Sequence, residues 1–345
     1  MSIDDILFDR KGKLGLITLN RPKVLNAITL DMVRRMTATL DEWAMDDRTT
    51  AVLTRGAGGK AFAAGGDIQR LYNAMSDPTD TYPVPFFAEE YRLNRQIKTY
   101  PKPFIAVYNG IVMGGGVGVS VHGSHRIATE ATSLAMPESG IGFFPDVGGT
   151  YFLPRLKSGL GRYMALTGGR LDGGDCVTEG LADSFMPVAK IDALIEALAV
   201  ADNVDEAIAS VTEPAPTGRL AKDRQAVAVL FGRPTINDVL AALEVADTEW
   251  AAKQLKAIRS KSPLSVAIAW EQIARGAKLN FEDCLILEYR LALAACAQGE
   301  FREGVRALIV DKDNMPKWAH ATVEDVPEAD VLSHFNAPSV GDLTF

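Results

Sequence analysis

The stretch Met113-Gly114-Gly115-Gly116-Val117-Gly118 comes shortly after the apolar run Phe104-Ile105-Ala106-Val107-Tyr108. This pattern predicts a buried strand, a glycine-rich turn and an apolar helix. Glycines leave the backbone N–H groups at a helix start unhindered, and such groups attract an anionic oxygen. The alternative is that the glycines only allow the helix to pack closely on the strand. No Gly-Lys-Ser/Thr follows, and the spacing does not fit G-x-G-x-x-G, so the stretch is neither a Walker loop nor a good dinucleotide fingerprint.

A second glycine turn, Ala61-Phe62-Ala63-Ala64-Gly65-Gly66-Asp67-Ile68, also opens a predicted helix. The alternative for it is an ordinary strand-to-helix turn. If both turns point their N–H groups at one place, they form an oxyanion hole for the enolate or tetrahedral oxyanion of a carbonyl under attack.

Strand and helix patterns alternate around these turns up to about residue 188, which predicts an α/β architecture. Ile6–Phe8 and Leu14–Leu19 are expected to form a hairpin, and a helical pattern starts at Thr29. After the proline-rich stretch Glu213–Gly218, helical patterns dominate. The candidate helices are Ile236–Val245, Thr248–Arg259, Leu264–Ala274 and Phe281–Ala297. We therefore predict a core over residues 1–220 and a helical C-terminal region over residues 221–345.

Two carboxylates, Glu138 and Asp146, lie in the segment Ala135–Gly149, which is otherwise uncharged. Buried acids are costly unless they are used or paired, so this setting favours a functional pair. The alternative is a capping Asp and a surface Glu. In Phe86–Tyr91, aromatic side chains and acids share one predicted helix. An amphipathic helix with a solvated acidic face is the favoured interpretation of that segment alone.

The composition narrows the class of protein. The chain has 345 residues, 47% hydrophobic content and a net charge of −8, which argues against nucleic-acid binding. Cys176, Cys284 and Cys296 are expected to be reduced thiols, and neither they nor the four histidines have the spacing of metal ligands. The first residues do not resemble a targeting leader, and no apolar run is long enough to span a membrane. These features predict a cytoplasmic protein that binds neither membrane nor metal.

Three segments in order and spacing, Asn20–Ala27, Ala63–Ile68 and Gly114–Gly116, resemble the crotonase (enoyl-CoA hydratase/isomerase) superfamily over roughly residues 5–190. The resemblance implies a spiral of repeated ββα units and an acyl-CoA substrate. It implies no cofactor, since coenzyme A is part of the substrate. Within the superfamily the chain most resembles the 3-hydroxyisobutyryl-CoA hydrolase family. The segments that carry this likeness are Phe86–Tyr91, Met113–Gly123, Ala135–Gly149, Glu303–Ala307 and Asp311–Asp313.

The resemblance also implies roles for individual residues. Gly66 and Gly115 would donate two backbone N–H groups to the thioester carbonyl. Glu138 occupies the position of the catalytic glutamate, Asp146 that of the second acid of the hydrolases, and Glu90 that of an acid that contacts the substrate. Lys23, Val24 and Leu25 would lie near the adenine and pantetheine of CoA. The remaining expected substrate contacts are Ala64, Asp67, Ile68 and Gly114.

One departure from the pattern of the enoyl-CoA hydratases distinguishes this chain from that subfamily. Enoyl-CoA hydratases that use two glutamates carry the first of them where this chain has Gly118, and glycine cannot hold a proton. Asp146 stands where hydratases usually have a small residue. The resemblance therefore implies hydrolysis of a short hydroxyacyl-CoA, with 3-hydroxyisobutyryl-CoA of valine breakdown as the expected substrate. A hydratase or isomerase and a non-catalytic acyl-CoA-binding homologue are the alternatives. The oligomeric state stays open: the superfamily often forms trimers and hexamers, which implies a homo-oligomer, but the helical C-terminal region could cover that surface.

Overall fold

A computed structural model describes residues 4–345 of the protein. The chain forms two compact units, each built from three segments. The first unit ends its first segment at Gly66 and continues with Arg92–Leu134 and Leu171–Ala221. The second unit comprises Asp67–Tyr91, Ala135–Arg170 and Lys222–Phe345. The division of the chain at residue 220 stays a prediction.

Nine strands are found within residues 4–345, and they form two sheets. The strands are β1 (Ile6–Lys11), β2 (Leu14–Leu19), β3 (Ala51–Gly56), β4 (Ala61–Ala63), β5 (Phe104–Tyr108), β6 (Ile111–Met113), β7 (His125–Ala128), β8 (Ser133–Ala135) and β9 (Ser184–Phe185). The larger sheet has the order β1-β2-β3-β5-β7-β9, and the smaller one has the order β4-β6-β8.

The larger sheet begins with the predicted hairpin. β1 and β2 pair antiparallel from Ile6–Leu19 to Lys11–Leu14, and every later pair in this sheet is parallel. β5 is buried along its whole length, as the continuous apolar run indicates for a strand covered on both faces. The alternation of strands with helical connections produces this parallel arrangement.

Sixteen α-helices are found within the described residues. They are α1 (Leu30–Met45), α2 (Ile68–Met75), α3 (Pro83–Lys98), α4 (Gly115–Gly118), α5 (Gly149–Phe152), α6 (Leu160–Thr167), α7 (Gly173–Thr178), α8 (Ile191–Val200), α9 (Val204–Ala209), α10 (Arg224–Phe231), α11 (Ile236–Val245), α12 (Glu249–Arg259), α13 (Pro263–Gly276), α14 (Phe281–Gln298), α15 (Glu300–Val305) and α16 (Glu328–Ser333). A π-helical turn, Arg306–Val310, follows α15.

The four helices predicted near the C-terminus are confirmed as α11 to α14. Their starts carry the expected side-chain caps. Thr235 caps α11 in a capping box with Asp238, and Asn280 caps α14 by accepting a hydrogen bond from the N–H of Asp283. Ser262 caps α13, whose first residue is Pro263, so the proline lies where a helix does not need its N–H.

Among residues 4–345, none of the helices combines the length and the apolarity that crossing a membrane requires.

Candidate active site

The two predicted N–H donors lie in the first unit, beyond the ends of two neighbouring strands. Gly66 lies three residues after the end of β4, and Gly115, the first residue of α4, is separated from β6 by Gly114. β4 and β6 pair in parallel, so their carboxyl ends meet at the same edge of the small sheet. The N–H groups of the first turn of a helix have no acceptor inside that helix, and that of Gly115 is one of them. That these two N–H groups form an oxyanion hole stays a prediction.

Each donor is preceded by a glycine whose backbone other residues rarely adopt. Gly65 has a φ of +123°, and Gly114 has a φ of +46°. Gly116 has a different task, because a Cβ on it would lie 2.2 Å from the carbonyl oxygen of Ala63. The run of three glycines therefore fits both interpretations, a turn that leaves a backbone N–H unhindered and close packing of the helix on the strand. Gly114 turns the chain, and Gly116 lets α4 approach β4.

The segment Asn20–Ala27 is bound to the start of β4 by the buried side chain of Asn26. Its Nδ2 donates to the carbonyl oxygens of Ala57 and Ala61 at 3.0 and 2.9 Å, and its Oδ1 accepts from the N–H of Arg21 at 2.9 Å. Asn26 itself has a φ of +57°, a conformation that asparagine tolerates better than most residues.

The three residues expected near CoA lie in the same segment. The N–H of Ala64 donates to the carbonyl oxygen of Leu25 at 3.0 Å, next to the glycine turn. Lys23 and Val24 lie in a short 3₁₀ turn and are exposed. A cation and an apolar side chain are therefore available to a ligand at this edge of the first unit.

Asp146 lies in the second unit and is buried. The hydroxyl of Tyr91 donates a hydrogen bond to Asp146 Oδ2 at 2.9 Å. Burial raises the pKa of Asp146 to about 7, although the Tyr91 hydrogen bond acts in the opposite direction. A carboxyl group with this pKa can release and take up a proton near neutral pH.

Glu90, beside Tyr91 on α3, is 2% exposed. Its Oε1 has no hydrogen-bond partner within residues 4–345. Burial, and then the charges of Asp146 and Glu288, raise the pKa of Glu90 well above its usual range. The interpretation of α3 as a helix with a solvated acidic face is wrong at Glu90, because packing in the second unit buries this part of the helix.

Glu138 begins a 3₁₀ turn, Glu138–Ile141, and is also buried. The N–H of Ser262 donates to the carbonyl oxygen of Ser139 at 3.1 Å, which brings the start of α13 to this turn. Lys261 directly precedes Ser262. Burial lowers the pKa of Lys261, and the charge of Glu138 opposes this effect. The alternative of a surface Glu and a capping Asp is therefore wrong, because both acids are enclosed.

Aromatic rings pack beside these acids. Phe143 stacks on Phe87 and Phe144, with ring centroids 5.7 and 4.4 Å apart, and contacts Phe301 at 4.5 Å. Phe87 in turn contacts Tyr91, with centroids 5.9 Å apart. Such surroundings disfavour the charged form of a carboxyl group, which is the physical cause of the raised pKa values.

The units thus group the predicted residues by chemistry. The backbone donors, the expected CoA contacts Lys23 to Leu25 and the expected substrate contacts Ala64 and Gly114 lie in the first unit. Glu90, Glu138 and Asp146 lie in the second, as do Asp67 and Ile68, where Asp67 caps α2 through a hydrogen bond from the N–H of Arg70.

Two buried residues of this region were missed in the sequence, Glu288 and Gln272. Each makes hydrogen bonds to the loop that carries Asp146. Glu288 had a readable signal, since it is an acid on the same helical face as the apolar Cys284 and Leu291. Gln272 had none, because a single amide in a helix is ordinary.

No group of three or more His, Cys, Asp or Glu residues within the described part of the chain is placed to hold a metal ion.

Comparison with known proteins identifies the family. The model of the enoyl-CoA hydratase/isomerase family matches residues 14–335. The chain belongs to this family. The solved structure of a carnitinyl-CoA dehydratase from Mycobacterium thermoresistibile is 42% identical to this chain and superimposes with a TM-score of 0.94. The match covers 99% of this chain and 99% of the dehydratase. An enoyl-CoA hydratase from Rhodobacter sphaeroides is 38% identical with a TM-score of 0.93, over 99% of this chain and 100% of its own. These neighbours confirm the predicted α/β crotonase fold.

Two curated relatives are named 3-hydroxyisobutyryl-CoA hydrolase, mitochondrial. The human protein is 42% identical over 99% of this chain and 91% of its own length. The zebrafish (Danio rerio) protein is 42% identical over 98% of this chain and 91% of its own.

The predicted cytoplasmic location is wrong by this comparison, because the names of these relatives point to mitochondria. The prediction rested on the absence of a leader pattern in the first residues, and that absence does not establish a compartment.

Proposed function

We propose that the protein hydrolyses a short hydroxyacyl-CoA thioester, with 3-hydroxyisobutyryl-CoA as its substrate and a place in valine breakdown. The observation that carries the proposal is the buried Asp146, hydrogen-bonded to Tyr91, in a family member whose residue 118 is glycine. The acid that the two-glutamate hydration needs at position 118 is missing, whereas a different acid is enclosed and has a pKa of about 7. The names of the human and zebrafish relatives support the same activity.

In the first unit, the N–H groups of Gly66 and Gly115 would bind the thioester oxygen as it becomes negative. Such donors act in the transition state, and the loss of one costs about 10²–10³ in rate. Lys23, Val24 and Leu25 would bind the CoA portion of the substrate.

In the second unit, Glu138 has one of two roles. It attacks the thioester carbonyl to form an anhydride, which water then opens, or it takes a proton from the attacking water. In both routes a C–O bond forms, the C–S bond breaks, and the sulfur of CoA leaves as a thiol after it gains a proton. Asp146 would orient the water or the substrate hydroxyl and carry a proton.

Hydration or dehydration of an acyl-CoA is the main rival, and the titles of the two solved structures name such activities. One assay separates these reactions. The protein is incubated with 3-hydroxyisobutyryl-CoA and with crotonyl-CoA, and thiol release is followed together with enoyl absorbance. We expect thiol release from the hydroxyacyl ester, and loss of enoyl absorbance without thiol would overturn the proposal.

The role of Asp146 is tested by Asp146→Asn. We expect most of kcat to be lost, because asparagine cannot carry the proton. A change confined to KM would make Asp146 a binding residue.

Oxygen-18 water in a single turnover tests the anhydride route for Glu138. Label that enters the Glu138 carboxylate indicates the anhydride, because a general base leaves the oxygens of the glutamate unlabelled. Label found only in the acid product fits a general base and also an anhydride that water opens at the acyl carbonyl.

A non-catalytic acyl-CoA-binding protein would bind the ester tightly and release no thiol in the same assay. The expected homo-oligomer also stays a prediction, and light scattering of the purified protein would test it.

A further inference from the structure

The loop that carries Asp146 has an unusual backbone. Val147, directly after Asp146, has a φ of +51°, and Gly148 has a φ of +88°. Glycine adopts this conformation easily, but a β-branched residue does so only when its surroundings enforce it. Val147 is also buried. The direction in which Asp146 points therefore depends on contacts that stabilise this unfavourable backbone conformation.

Glu288 on α14 makes two of these contacts. Its Oε2 accepts the backbone N–H of Gly148 at 2.7 Å, and its Oε1 accepts that of Thr150 at 2.8 Å. The side chain is fully buried. Both carboxylate oxygens are therefore bound to the loop, on the C-terminal side of Asp146.

Gln272 on α13 makes two more. Its Nε2 donates to the carbonyl oxygen of Pro145 at 2.6 Å and to Oγ1 of Thr150 at 2.7 Å. Pro145 precedes Asp146 and Thr150 follows it, so Gln272 and Glu288 together fix the backbone on both sides of the acid.

We propose that Glu288 is a positioning residue, which acts through the backbone of residues 148–150 to aim Asp146 at the hydroxyl of Tyr91. Without this acceptor, two buried N–H groups lose their partner, and the backbone that follows Val147 loses two of the hydrogen bonds that hold it. A misplacement of about 1 Å in a catalytic group can cost about 10²-fold in rate. The inference rests on the proposed function only where it assigns Asp146 a part in catalysis.

The charge of Glu288 is a separate matter from its hydrogen bonds. Burial raises the pKa of Glu288 to about 8, against the effect of Thr150 and Gly148. The titratable groups that interact with it are Asp146, Glu90, Tyr91 and Cys284. The raised pKa favours the neutral form of Glu288, so replacement by glutamine, which is always neutral, changes the charge less than the hydrogen bonds.

The test is Glu288→Gln, since the amide nitrogen of glutamine cannot accept an N–H. We expect kcat for the hydroxyacyl-CoA to fall about 10–100-fold, with KM within about threefold. We also expect the pKa of Asp146, measured by carbon-13 NMR of labelled aspartate, to rise above about 7 as the Tyr91 hydrogen bond is lost.

Asp175 offers a matched control. It is a buried acid of the first unit, and it accepts the backbone N–H of Leu220 at 3.0 Å and that of Asp172 at 3.3 Å. Asp175→Asn removes the same kind of bond. We expect it to lower the melting temperature without changing kcat or the pKa of Asp146.

A Glu288→Gln protein with normal kcat and an unchanged Asp146 pKa would overturn the inference. If that variant fails to fold, Glu288→Asp tests the same idea, because its carboxylate is one methylene too short to accept both N–H groups. Normal values of both quantities in the Glu288→Asp variant would then overturn the inference. The NMR measurement needs no substrate, so a wild-type protein without thiol release would contradict the proposed function and leave the positioning measurable.

Discussion

The edge of the small sheet and the carboxyl cluster supply opposite kinds of chemistry. At the sheet edge, the predicted donors are the backbone N–H groups of Gly66 and Gly115, each of which follows another glycine. In the cluster, Glu90, Asp146 and Glu288 are side chains kept in an enclosed place, where burial raises their pKa values. The first arrangement depends on local turns that only glycine permits. The second depends on residues from distant parts of the chain.

The difference shows which changes each arrangement tolerates. A backbone donor is lost when the N–H itself is removed or when a side chain at a neighbouring glycine disturbs the turn that presents it. A buried carboxyl group is lost by changing one atom, and its pKa depends on everything packed around it.

Glu138→Gln should have the largest effect. We expect kcat to fall at least about 10³-fold, because glutamine neither attacks the carbonyl nor takes a proton at neutral pH. Binding of the CoA ester should remain, as measured by calorimetry with an uncleaved analogue. Near-normal turnover would remove Glu138 from the mechanism.

Gly115→Pro should have the next largest effect. Proline is tolerated at the first position of a helix and lacks only the N–H there. We expect kcat to fall about 10²–10³-fold. Gly115→Ala keeps the N–H and is the control. Equal activity of the two variants would show that this N–H does not bind the thioester oxygen.

Gly116→Ala should alter stability through packing. Its Cβ would lie 2.2 Å from the carbonyl oxygen of Ala63, so the free energy of unfolding should fall by roughly 3 kcal/mol. Gly180→Ala places its Cβ in space that is open among the described residues, at a φ of +78°. That control should cost only about 1 kcal/mol, the strain of the backbone. Denaturant unfolding measures both, and equal losses would contradict the close approach of α4 to β4.

The smallest effect is on the pH dependence of stability. The pKa values of Asp146 and Glu288 are raised to about 7 and about 8, so the folded protein binds more protons than the unfolded chain above the usual carboxyl pKa. Their contribution to the free energy of unfolding is fully present at low pH and is lost as pH rises to about 8.

In the Asp146→Asn variant, the decrease in the free energy of unfolding between pH 5 and 8 should be smaller by on the order of 2 kcal/mol. Unfolding curves at several pH values provide the comparison. Curves for the wild type and the variant that stay parallel over this range would show that Asp146 has an ordinary pKa in the folded protein.

The sequence predicted the parts of the molecule that are local. The hairpin of β1 and β2, the helix α1 that Thr29 caps, and α11 to α14 follow from periodicity, caps and turns, and all are confirmed. The glycine turns were also readable, since Gly65 and Gly114 need conformations that other residues avoid.

The surroundings of the acids could not be predicted. Glu288 binds Gly148 and Thr150 from 140 and 138 residues away, and no local pattern encodes such a pairing. The favoured interpretation of Phe86–Tyr91 failed for the same reason, because the charge pattern of a helix does not say what packs against its acidic face.

The loop that carries Asp146 and the side chains that bind it come from different segments of the chain, and this has a consequence for engineering. The loop belongs to the segment Ala135–Arg170, but Gln272 and Glu288, which bind it, belong to Lys222–Phe345. A chimera that receives residues 135–150 alone would inherit the acids without the groups that orient them. We expect such a graft to need α13 and α14 as well before it could transfer thioesterase activity to another member of the family.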